Sequence, residues 1–209
     1  MLPAGSEIAY SVTWLAMDRR PEGPRPPVPS DPPVALLAAH NPPPWYFLCL
    51  YDAVGADYEW TDWHRRPRAE LEDFLCDPKV TLYTLLRQGW PAGFFMHDLR
   101  QDGTCDLAYF GLVPQAAGQG LGSYLLRTAI HMGWDHPGVL RMTVNTNTLD
   151  HPRALGLYQR AGFHVIDRTQ HRRTLARDWL HEVPKDAGHP AVATSGPAFG
   201  IVPDDTDHT

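Results

Sequence analysis

The stretch Ala108–Leu126, AYFGLVPQAAGQGLGSYLL, decides how the rest of the chain is read. It opens as a strand of aliphatic and aromatic residues and runs through Pro114 into a turn carrying Gly118, Gly120 and Gly122. Leu121, Leu125, Ile130 and Trp134 then recur at helical spacing. Glycine permits positive φ and lets a ligand approach the backbone closely. The first N–H groups of a helix have no intrahelical partner, and with the helix dipole they form an anion site. A strand, a glycine turn and a helix start therefore predict a phosphate or pyrophosphate cradle. Two familiar cradles do not fit. The P-loop ends in Gly-Lys-Ser/Thr, and this turn has no lysine; in a G-x-G-x-x-G register begun at Gly118, the third glycine position is Ser123.

Working outward, Val80–Leu86 (VTLYTLL), Ala92–Leu99 (AGFFMHDL) and Cys105–Val113 (CDLAYFGLV) are runs of strand-forming residues separated by turn signals, and predict an antiparallel meander. Downstream, Val139–Val144 reads as a strand, Arg153–Gln159 as a helix closed by Gly162, and the run from Phe163 as a closing strand. In the front half, Ile8–Met17 predicts a strand, and Pro44–Val54 and Arg68–Leu75 predict helices. Between them a Pro-rich loop covers about residues 20–33. The expected fold is mixed α/β (α+β): one domain over residues 1–181, with a mostly antiparallel twisted sheet flanked by helices. Residues 182–209 are poor in large apolar groups and are expected to form a disordered tail.

A second motif supports the first. Asn145–Phe163, NTNTLDHPRALGLYQRAGF, places Ala154, Leu157 and Tyr158 on a helix before Gly162-Phe163. The pair of motifs resembles the two signatures of the GNAT acetyltransferase superfamily, and the resemblance covers Val80–Arg173. The family's cofactor loop reads Gln/Arg-x-x-Gly-x-Gly/Ala. Here the six positions are Ala117, Gly118, Gln119, Gly120, Leu121 and Gly122, so the first departs from the pattern. A register begun at Gln115 also satisfies it. Loss of the basic or amide side chain removes a charge-assisted contact to the pyrophosphate and leaves the backbone amides.

The resemblance implies acetyl-CoA as co-substrate, held by Leu112, Val113, Ala117, Gly118, Gln119, Gly120, Leu121, Gly122 and Ser123, with His151 near the start of the second helix. It implies that backbone N–H groups around Leu112 polarise the thioester carbonyl, next to Gly111. It assigns Tyr158 to protonate the departing thiolate, and it places Asp106 where a related branch carries a base. His151 and His97 are alternative bases, because imidazole titrates near neutrality. Aminolysis of a thioester needs these parts: a neutral amine, a stabilised oxyanion and a proton for the leaving sulfur.

Composition narrows the partners. The formal net charge is −6, which argues against nucleic acid as a partner, because phosphate recognition requires a basic face. The N-terminus has no signal-peptide pattern, no stretch has the length of a membrane span, and the expected compartment is the cytoplasm. Cys49, Cys76 and Cys105 are too scattered for a disulfide framework or zinc site and are expected to be small buried hydrophobes. The histidines form no H-E-x-x-H, so no metal is expected. Monomer and homodimer stay open. The expected activity is transfer of acetyl from acetyl-CoA to a primary amine by direct attack in a ternary complex. The alternative is a non-catalytic acyl-CoA-binding or protein-interaction module. The cluster Trp45, Tyr46, Tyr51, Tyr58, Trp60 and Trp63 reads either as core or as the wall of an acceptor pocket that binds a cation on its ring faces.

Overall fold

The computed structural model describes residues 2–179; the tail proposed for 182–209 lies outside them. A seven-stranded sheet has the order β2-β3-β4-β5-β6-β1-β7. Its strands are β1 (Glu7–Met17), β2 (Val34–Ala39), β3 (Val80–Arg87), β4 (Trp90–Asp98), β5 (Thr104–Leu112), β6 (Arg141–Asn147) and β7 (His164–Thr174). The helices are α1 (Pro44–Gly55), α2 (Asp62–Arg65), α3 (Arg68–Cys76), α4 (Leu121–Asp135) and α5 (Ala154–Arg160). All strand pairs are antiparallel except β5 with β6. The mixed, mostly antiparallel class and the β3–β4–β5 meander read from the sequence are both present.

Alternation along the strands builds two cores. Phe94 and Tyr109 turn to Phe47 of α1, while Trp63 of α2 donates to the Tyr109 hydroxyl at 2.6 Å. On the opposite face the His97 ring bonds the Ala129 carbonyl of α4 at 3.0 Å. At Gly133 α4 lies close against β6: a Cβ there would meet Met142 Cε at 2.4 Å. The Pro-rich loop is tied to the end of α4, with Arg20 at 2.7 Å from Asp135 and Arg25 bonded to the same carboxylate.

Three features depart from the sequence reading. β2 was not foreseen: Val34–Ala39 pairs with β3 as an edge strand directly after the prolines. β1 is inserted between β6 and β7, antiparallel to both. Cys49 and Cys76 are exposed and only Cys105 is buried, because the first two lie on the outer faces of α1 and α3.

Candidate functional site

β5 and β6 pair over only three rungs, Thr104–Asp106 with Arg141–Thr143. Beyond them the strands part, and β5 continues alone alongside β4 to Leu112. The gap opens a cavity of about 340 Å³. Its walls come from both faces of the sheet: Tyr51, Tyr58 and Trp60 from α1 and the α1–α2 connection, and Leu157 and Tyr158 from α5. The cavity therefore passes through the sheet where the ladder is missing.

At one end lies the glycine turn. Gly118 has φ +76° and Gly120, the residue before α4, has φ +78°. A Cβ at either would meet nothing within 4 Å, so the requirement is conformational and not steric. No side chain caps α4, and its first turn holds no acidic residue. The unpaired N–H groups and positive dipole end are thus left to an anion. Leu112, Ala117, Gly118, Gly122 and Ser123 line the cavity beside this turn, while Gln119, Gly120, Leu121 and Val113 do not. Leu121 is a core residue, and the Gln119 amide donates to the Gln115 carbonyl at 3.1 Å. The free backbone N–H groups and positive dipole end at this turn fit a phosphate or pyrophosphate group.

The backbone of β5 settles which amides face the gap. Val113 N–H donates to the Ala92 carbonyl at 3.0 Å, so it is engaged on the β4 side. Successive amides of an extended chain point to opposite edges, which turns the N–H groups of Leu112 and Phe110 toward the opening. Gly111 has a different reason from the close ligand approach its sequence position suggests: a Cβ there would lie 2.2 Å from Val54 Cγ1, so α1 needs the space.

Tyr158 is buried in the wall, with its ring at 6.1 Å from both Phe110 and Phe163. Burial, and then the charges of Asp150 and Asp106, hold its phenol well above the ordinary tyrosine range. Asp106 sits at the last paired rung, where Thr143 donates to it at 2.6 Å. It is buried and does not line the cavity. Burial pushes its carboxyl up to about 7, Thr143 opposes the shift, and Asp98 adds to it. His97 is buried on the α4 face, away from the cavity, and burial pushes its pKa down to about 3. His151 is exposed at the cavity rim and accepts the Arg153 N–H at 3.1 Å.

The structure adds residues to which the motifs assign no role. Asp150 lines the cavity and accepts from Trp60 Nε1 at 3.1 Å, Thr146 Oγ1 at 2.8 Å and Asn147 N–H at 2.9 Å. Burial raises its carboxyl despite those bonds. Glu59, Asp62 and Arg173 line the same end, as do Tyr10, Val12 and Trp14 of the inserted β1. The period-2 spacing of Tyr10, Val12 and Trp14 was a visible signal that one face of β1 is special. Of the aromatic cluster, Tyr51, Tyr58 and Trp60 reach the cavity, Trp63 is core against Phe74, and Trp45 is 65% exposed. Among the described residues no group of three or more His, Cys, Asp or Glu is placed to hold a metal ion, and no helix is long and apolar enough to cross a membrane.

Comparison with known proteins agrees with this geometry. No curated protein matches the chain. Among solved structures it is similar to a GCN5-related N-acetyltransferase from Sphaerobacter thermophilus, with 18% identity and TM-score 0.52 over 88% of this chain and 55% of that one. It is also similar to a tandem GNAT protein from the clavulanic acid biosynthesis pathway, with 16% identity and TM-score 0.57 over 84% of this chain and 56% of that one. An aminoglycoside acetyltransferase from an uncultured soil metagenomic sample matches at 13% identity and TM-score 0.51, over 79% of this chain and 97% of that one. The chain thus spans a little over half the length of the first two. The model of the acetyltransferase (GNAT) family matches residues 34–163, more than half of the sequence, and the chain belongs to that family.

Proposed function

We propose that the chain transfers an acetyl group from acetyl-CoA to a primary amine by direct attack in a ternary complex. The observation that carries this reading is the through-sheet cavity, which joins an anion-binding helix start to an aromatic-walled end with carboxylates past Tyr158. The α4 N-terminus would hold the pyrophosphate, and the Leu112 and Phe110 amides would bond the acyl arm in place of the absent β6 rungs.

In the reaction the neutral amine nitrogen adds to the thioester carbonyl carbon and the C–S bond breaks. The nitrogen gives up a proton and the sulfur leaves as thiolate. We assign the proton-accepting role to Asp150, which lines the cavity and whose raised pKa brings it nearer the working range of a base. Asp106 lies behind the wall and bears on the site through its field on Tyr158. Burial holds the Tyr158 phenol protonated above the ordinary tyrosine range, and we assign to it the hydrogen bond to the departing sulfur. The products are the N-acetylated amine and free CoA.

Titration calorimetry with acetyl-CoA, followed by an amine panel scored by release of free CoA thiol, tests the reading. Binding in the micromolar range and amine-dependent thiol release are the expected results. A folded protein that binds acetyl-CoA and acylates no amine would be the binding module instead.

A further inference from the structure

The far end of the cavity carries a buried carboxylate, Glu59, that acyl transfer itself does not require. Glu59 lines it with a side chain that is 0% exposed. Its Oε2 accepts the Ala176 N–H at 3.1 Å, whereas Oε1 has no hydrogen-bond partner among the described residues. Oε1 is ion-paired at long range with Arg177 Nε, 3.9 Å away, a residue that does not line the cavity. A buried carboxylate oxygen without a donor is costly, and a ligand ammonium can supply one. Glu59 also holds φ +59°, a left-handed conformation unusual for a residue with a side chain.

The neighbours have the same character. Asp62 lines the cavity and pairs with Arg173 at 3.0 Å, while Asp150 faces it from the opposite wall element. Arg173 Nη2 bonds Thr61 at 2.9 Å as well as Asp62, while its buried Nε has no hydrogen-bond partner among the described residues. The exposed Arg153 and Arg160 also line the cavity, but from α5, the element opposite Glu59 and Asp62. Glu59, Asp62 and Asp150 thus share the cavity with Arg173 and, from α5, Arg153 and Arg160, and the ring faces of Tyr51, Tyr58 and Trp60 beside Glu59 and Asp62 suit a cation.

We propose that the acceptor is an amine bearing a second cationic group, a short diamine or polyamine, whose remote ammonium is held by Glu59 and Asp62 while its other nitrogen reaches the thioester. This rests on the acyl-transfer reading for the second nitrogen's fate, but the binding preference can be measured without it. Acetylation would consume one amine and leave the remote ammonium untouched.

Three probes of matched length test the proposal: 1,4-diaminobutane, butylamine and 4-aminobutyrate. Calorimetry without acetyl-CoA should show the diamine binding at least about tenfold tighter than either of the others, the value of one charge-assisted contact. With acetyl-CoA present, kcat/KM should follow the same order. Glu59→Gln retains an acceptor for Ala176 and should erase the preference; Asp62→Asn serves if that variant does not fold. Equal binding of butylamine overturns the proposal, and so does a preference for 4-aminobutyrate, which would make Arg173 the determinant. Selective diamine binding without acetyl-CoA binding would support the site and remove the transfer reading. Turnover of other amines with rejection of the diamine would do the reverse.

Discussion

Trp60 Nε1 donates to Asp150 Oδ1 across 3.1 Å, joining the α1–α2 connection to the turn before α5. The bond fixes the indole as a cavity wall and lowers the Asp150 pKa against the larger effect of burial. Trp60→Phe keeps much of the ring packing and removes the donor. The carboxyl should then rise further, and the acid limb of kcat/KM should move to higher pH, because less of Asp150 is ionised at a given acidity. Rates measured from pH 5 to 8 check this. An unmoved limb would mean that Asp150 is not the group being titrated. Asp150→Asn gives a second readout: an amide oxygen cannot serve all three donors, and stability should fall by about 1–3 kcal/mol.

The anion site at α4 can be tested without straining a glycine. Gly120 sits at positive φ, so any side chain there perturbs the backbone as well as the site. Ser123 is exposed, helical and in the first turn. Ser123→Glu should stabilise the helix by about 0.3–1 kcal/mol through its dipole while placing a carboxylate against the pyrophosphate. Melting temperature should hold or rise as CoA affinity falls tenfold or more. Undiminished CoA binding by calorimetry would move the pyrophosphate away from this turn.

These tests rely on features of unequal visibility in the sequence. The meander, α4 and α5 were readable because local pattern and local structure agree there, and because Gly118 and Gly120 sit where the chain needs positive φ. β2 was not readable: VALLAA has no strong strand signature, and it becomes a strand because the β3 edge offers hydrogen bonds. The place of β1 was hidden for a related reason, since its partners lie in β6 and β7 at the far end of the chain. The acidic end of the cavity is a product of that topology. Glu59 and Asp62 precede or begin a four-residue helix, Asp150 follows β6, and Arg173 lies near the end of β7, so no one linear motif brings all four together.

Asp106 makes stability depend on pH in a direction unusual for a carboxylate. Its folded pKa is raised to about 7 from 3.8, so between those values the folded state holds a proton that the unfolded state has released. Stability contributed by this group is full below the unfolded pKa and declines as pH rises through the window. Asp106→Asn removes the titration and still accepts from Thr143. The variant and the parent should be similar near pH 4, and the variant should gain on the parent up to pH 8, by at most about 4 kcal/mol. Urea midpoints at both pH values measure the gap. A gap that does not widen with pH would show the carboxylate to be ionised throughout.

Tyr158 is the most direct test of chemistry. Its ring packs between Phe110 and Phe163, and no hydrogen bond to its hydroxyl is found among the described residues. Tyr158→Phe therefore keeps the packing and leaves no buried donor or acceptor without its partner, and thermal stability should hold. Acetyl-CoA affinity should change little, because the α4 turn is built by other residues. If the phenol bonds the departing sulfur, kcat should fall by roughly 10²–10⁴-fold, the usual range for a lost proton donor. The raised pKa adds a sharper expectation. A group that stays protonated beyond ordinary alkaline pH produces no alkaline limb, so the ratio of parent to variant rates should be constant from pH 6 to 10. A ratio that collapses toward one as pH rises would mean that the phenol ionises in this range. A variant with the parent's kcat would make Tyr158 a packing residue, and the departing thiolate would then be stabilised by other groups or water.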